Sequence, residues 1–141
     1  MQSGFPFTIS AFSDTANSGT VLGESPVRAN YTGQPVFGAD TRNTMQWFNP
    51  AAFAAPAAFS YGNVGRNTVY GPGIQTLDLA LVRSFAIRDA ARFELRGEAF
   101  NALNHSNLGT PNRFVNTPQF GTITEASTPG RELQLSARFS F

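Results

Sequence analysis

The stretch RELQLSARFSF, residues 131–141, decides the reading of this chain. Leu133, Leu135, Ala137, Phe139 and Phe141 fall on one side of an extended backbone. Glu132, Gln134, Ser136, Arg138 and Ser140 fall on the other, with no exception after Arg131. A side-chain period of two is the signature of a strand with unlike environments on its two faces.

Two upstream segments repeat the pattern. From about Arg92 to Leu103, Phe93, Leu95, Gly97 and Ala99 share a face, while Arg92, Glu94, Arg96 and Glu98 share the other. A helix would scatter those four charges around its circumference; a strand collects them, with alternating signs that attract at two-residue spacing. From about Ile74 to Ile87, Leu77, Leu79, Leu81, Phe85 and Ile87 face one way, and Thr76, Asp78, Ala80, Val82, Ser84 and Ala86 the other. Arg83 interrupts the apolar set. With the strand bounds read this way it lies about four residues from the strand end, where a long side chain snorkels to headgroups. A bulge is the other explanation. A shorter strand is expected at Phe5–Phe12.

Composition agrees with β-structure and long connections. Only 13% of the 141 residues are charged, Phe alone supplies 14, and Gly and Pro contribute 13 and 9. Such a balance favours strands and turns over helices. The net charge of +1 gives no clustered basic face for nucleic acid. The basic residues are all Arg, a bias attributed to GC-rich coding, and the absence of Cys excludes disulfides and thiolate metal sites. No stretch approaches the ~18 apolar residues of a membrane helix. The opening MQSGFPFTIS carries no signal-peptide pattern, so the chain is expected to be a fragment of something longer.

The connections are unequal. Arg88–Ala91 is short enough for a tight hairpin. Residues 104–130 form a longer loop, and 13–73 a far longer one of about sixty residues, which compact soluble domains seldom tolerate. Outer-membrane barrels pair short periplasmic turns with long outer loops. The alternating segments match the ~9–11 residues a tilted strand needs to cross hydrocarbon. The predicted fold is therefore all-β: part of an antiparallel up-and-down transmembrane β-barrel, with strands at about 5–12, 74–87, 92–103 and 131–141 and extracellular loops at about 13–73 and 104–130. Unpaired backbone in lipid is costly, and single-chain barrels begin at about eight strands. Three or four strands cannot close alone, so the chain is expected to continue a barrel with further strands, in preference to assembling from several copies.

The ordered motifs resemble TonB-dependent receptors, in particular the Oar-like subgroup with a carboxypeptidase-regulatory-like N-terminal domain. They run Trp47-Phe48-Asn49-Pro50, an Ala/Phe-rich stretch from Ala51 to Phe59, Gly62-Asn63-Val64-Gly65-Arg66-Asn67 and Gly71-Pro72-Gly73. Asp78, Glu98-Ala99-Phe100-Asn101, Asn104-His105, Phe120-Gly121-Thr122-Ile123 and the terminal Phe141 follow in order. The resemblance is strong from Trp47 onward and loose before it. It implies the C-terminal strands of a plugged barrel of about 22 strands in the cell outer membrane of a Gram-negative bacterium, importing a nutrient. The implied partners are the remaining strands and plug, TonB through an N-terminal part, the barrel-assembly machinery and outer-membrane lipid. These 141 residues match no plug, TonB-interacting segment or signal peptide, so coupled transport is expected to belong to the whole receptor. Alternatives of other classes are a soluble all-β binding module and a passive channel or adhesin barrel.

Leu133, Leu135, Ala137, Phe139 and Phe141 resemble the terminal signal read by the barrel-assembly machinery, which recognises an exposed final strand by its alternating side chains. Asp78, Arg92, Glu94, Arg96, Glu98 and Arg138 are read as lumen-facing charges, the strand ladder pairing sideways with Asp78 or Arg138. As a catalytic pair Glu94 and Glu98 would stand about 13 Å apart, too far for a glycosidase, with Arg96 holding both ionised. Tyr31, Trp47, Phe48, Tyr61 and Tyr70 are candidate ligand contacts; the same aromatics could instead pack the loop's own core or form an interfacial girdle. His105 is expected to stabilise a turn, since one His with no Cys or acidic cluster makes a poor metal site. Gly62–Asn67 is read as a run of positive-φ turns rather than a phosphate cradle. No catalytic residue, metal or cofactor is expected, and the chain is not expected to be an enzyme.

Overall fold

The computed structural model describes residues 1–19, 27–88 and 91–141. Its strands are β1 (Pro6–Phe7), β2 (Asn30–Tyr31), β3 (Phe53–Ala54), β4 (Val69–Tyr70), β5 (Leu79–Arg88), β6 (Ala91–Phe100) and β7 (Glu132–Ser140), with one 3-10 turn at Pro50–Ala52. The chain divides into two compact units. One comprises Met1 with residues 75–107 and 128–141, and the other residues 2–74 and 108–127.

The first unit is a three-stranded antiparallel sheet in the order β5-β6-β7. Its register aligns the alternating patterns of all three strands. Leu79, Ala99 and Leu133 form one rung, followed by Leu81–Gly97–Leu135, Arg83–Leu95–Ala137 and Phe85–Phe93–Phe139. The intervening rungs are Ala80–Glu98–Gln134, Val82–Arg96–Ser136, Ser84–Glu94–Arg138 and Ala86–Arg92–Ser140. Directly opposed residues share a face, so the sheet has one apolar and one charged side. Phe85 and Phe93 stack with centroids 6.4 Å apart, one of the cross-strand pairs that hold register.

Strand bounds differ from the sequence expectation. β5 begins at Leu79, not Ile74; Ile74 instead exchanges backbone hydrogen bonds with Gln2 in the other unit. A register shift lies between Ala86 and Arg88, so Ile87 sits at a bulge rather than in the apolar ladder. Asp89 and Ala90 of the expected hairpin lie outside the described residues. β6 ends at Phe100 because Asn101 takes a left-handed φ of 46° and turns the chain. Buried Asn101 then holds that turn: its side-chain oxygen accepts from the His105 amide, and its Nδ2 donates to the His105 and Pro129 carbonyls. Buried Asn107 bonds both backbone groups of Gln75 and the Thr128 hydroxyl.

Residues 5–12 correct the expectation more sharply. Only Pro6–Phe7 are strand, and they pair with Val69–Tyr70 inside the second unit, not with the three-stranded sheet. The expected outer loop of 13–73 is likewise no open connection. Its described part folds with 2–12 and 108–127 around Phe7, Ile9, Ala29, Phe48, Ala52, Phe53, Val64 and Val69. Fully buried Phe48 is the hub, with ring centroids 5.1 Å from Phe120, 5.6 Å from Phe53 and 6.1 Å from Phe7.

Few long ladders satisfy this unit's backbone, so Asn side chains do much of it. Asn43 Oδ1 accepts from the Met45 and Gln46 amides, Asn49 caps the 3-10 turn at Ala51, and Asn63 Oδ1 accepts from the Tyr31 amide. Gly62 is required for close approach, not for positive φ as expected: a Cβ there would lie 1.9 Å from the Arg28 carbonyl oxygen. Asn67, at φ 55°, does supply a left-handed turn.

Candidate functional site

The three-stranded sheet presents its apolar face without a core beneath it. Leu79, Leu81, Phe85, Leu95, Leu133 and Phe139 are exposed, and Leu135, at 89% exposed, projects almost completely. A soluble protein seldom leaves so continuous an apolar surface uncovered. The opposite face carries Arg92, Glu94, Arg96, Glu98 and Arg138 in register. The outer edges of β5 and β7 have no strand partner among the described residues.

Strand length fits a membrane crossing. Nine to ten residues at ~3.4 Å each, tilted ~40°, span about 25 Å, the height of an outer-membrane apolar band. Leu133, Leu135, Ala137 and Phe139 lie along one side of β7, whose nine residues are all exposed, and Phe141 follows just past its end. The Phe139 and Phe141 rings sit 6.0 Å apart at its end.

The charged face is organised along β6 more than across it. Arg96 donates to Glu98 at 2.7 Å, the only ion pair among the described residues. Glu94 stands opposite Arg138 in register but accepts from the Ser84 hydroxyl at 3.4 Å. Asp78 departs from the expected ladder: it precedes β5, and its carboxylate accepts from the Asn101 amide at 2.9 Å. It thereby fastens the strand end, a role invisible to alternation because its partner is a backbone N–H. His105 also contributes through its backbone, with its carbonyl and amide held by Asn101.

The loop aromatics separate into different roles. Phe48 is removed from the ligand candidates, because no part of it reaches solvent. Trp47 is half-buried against the core, with its indole N–H donating to the Tyr70 carbonyl at 2.8 Å. Tyr61 and Tyr70 are exposed. Tyr31 lines a hollow of about 250 Å³ with Val36, Phe53, Asn63, Val64 and Thr68. Phe53, not singled out from the sequence, forms the floor facing the Tyr31 ring at 6.2 Å. Its place in the Ala-rich stretch held no signal beyond an aromatic among small residues.

No curated protein and no solved structure gives a match. The family described as outer membrane beta barrel domain matches residues 1–134, a span that includes the folded unit of 2–74 and 108–127 as well as most of the sheet. An exposed apolar face, a charged reverse face and open strand edges are what a segment of such a barrel presents before its neighbours are added. The chain belongs to the outer membrane beta barrel domain family, and its place is the outer membrane.

Proposed function

We propose that the chain supplies adjacent barrel strands and a folded loop unit to a TonB-dependent outer-membrane receptor, whose whole imports a nutrient. The carrying observation is the two-sided sheet, with exposed Leu and Phe in register on one face and alternating Arg and Glu on the other. Lipid requires the first, and a wet, plugged lumen accommodates the second. The ordered motifs from Trp47 to Phe141 give the receptor its TonB-dependent assignment.

In this reading the chain is not an enzyme. β5, β6 and β7 continue a sheet whose other strands pair with the free edges of β5 and β7. The charges on β6 face the plug, TonB couples to the receptor through an N-terminal part, and the barrel-assembly machinery reads the apolar positions of β7. The host is a Gram-negative bacterium.

Membrane fractionation of the full-length gene product, with heat-shift electrophoresis, tests the membrane assignment. A heat-modifiable outer-membrane band is expected, and a soluble monomer would end it. The TonB assignment is tested by upstream sequence: a plug and a TonB box are expected, and a passenger or porin-like domain there would refute it.

A further inference from the structure

Arg83 is the one charged residue in the paired apolar rungs; every other member is Leu, Phe, Ala or Gly. The structure moves it from its expected place near a strand end to the fifth of ten residues in β5. On a lipid-facing surface that is the most expensive depth for a guanidinium. Among the described residues no carboxylate pairs with it. Its Cζ lies 5.8 Å from the centroid of Phe85, two residues nearer the Arg88 end. The head group therefore leans along the strand toward one membrane surface, as a snorkelling cation does.

Beside it the apolar face is hollowed. Gly97 and Ala137 are small where Leu81, Leu95 and Leu135 project, leaving a depression of about 520 Å³ edged by Arg83. Arg96 and Ser136, which by parity belong to the charged face, complete its lining. That volume is within the range of ligand clefts.

We infer that Arg83 and the Gly97/Ala137 hollow form a site for one phospholipid, its phosphate on the guanidinium and an acyl chain in the depression. The inference rests on the lipid-facing reading of this sheet. Arg and phosphate form paired, charge-assisted hydrogen bonds, and the cation has no other counter-charge among the described residues. The lean of the guanidinium toward the strand end shortens its distance to the phosphate layer of the membrane surface on that side.

The test uses the full-length protein in detergent, titrated with a short-chain phosphatidylglycerol and read by native mass spectrometry. Diacylglycerol and inorganic phosphate serve as comparison probes. One saturable phosphatidylglycerol is expected on the wild type. Arg83→Gln should weaken it about tenfold or more, the worth of a charge-assisted hydrogen bond, while leaving the weak diacylglycerol binding unchanged. Ala137→Leu should weaken it with Arg83 intact, and inorganic phosphate alone should not bind. Equal retention by wild type and Arg83→Gln would overturn the inference. So would a change of oligomeric state on Arg83→Gln without loss of lipid, which would indicate a protein partner. The 141 residues hold no Cys; with any Cys elsewhere in the full-length protein replaced, an environment-sensitive fluorophore on Leu135→Cys reports the lipid-facing reading separately. Apolar emission with no lipid site sinks only the inference; water-like emission sinks the lipid-facing reading with it.

Discussion

Replacing Leu135 with Arg examines the orientation of the whole sheet in one substitution. Leu135 lies one residue from Ser136, the centre of the nine-residue strand β7. At ~3.4 Å per residue and ~40° of tilt, that is about 2.6 Å from the midplane, whereas Leu133 lies about 8 Å away. A lipid-facing Arg costs about 2–4 kcal/mol at the midplane and about 0–1 near the interfaces. Leu135→Arg should therefore cost about 2–3 kcal/mol and Leu133→Arg about 1–2. Ser136→Arg, one residue along but on the charged face, should cost almost nothing. Urea titration of the full-length protein folded into lipid vesicles, followed by heat-modifiable mobility, measures all three. A Leu135→Arg loss no greater than that of Ser136→Arg would refute the assigned faces.

Three further outcomes follow from the packing. Phe48→Ala should destabilise the unit of 2–74 and 108–127 by about 3–5 kcal/mol, since Phe48 is fully buried among three rings; hydrogen exchange should rise at its core amides, and unchanged protection would remove Phe48 as the hub. Gly62→Ala forces a Cβ against the Arg28 and Ala29 carbonyls and should cost at least the ~1–3 kcal/mol of ordinary overpacking, visible as faster limited proteolysis of that unit. Glu98→Gln removes the pair between exposed Arg96 and half-buried Glu98 and should leave the stability read by urea titration within about 1 kcal/mol of the wild type's, so a larger loss would mean the pair is sealed from water.

Legibility from sequence tracked the range of the interaction concerned. The apolar and charged sets of β6 and β7 were readable because strand side chains alternate by local backbone geometry. Those of β5 were readable up to Ala86, after which the bulge ends the rule. Asp78 shared that alternation, yet its function lies in a hydrogen bond to Asn101 across the sheet. Phe48 and Tyr31 belonged to one aromatic group by composition; burial divided them into a core hub and the wall of a hollow.

Residue order alone showed that three segments are two-faced strands and which side chains share each face, because a period of two needs no information from distant residues. Three-dimensional packing was needed to show that residues 5–12 leave the three-stranded sheet, that the described part of 13–73 joins 108–127 around Phe48, and that Arg83 stands at mid-strand. Each depends on contacts between residues far apart in the chain, where burial and backbone pairing, rather than local pattern, select the partner.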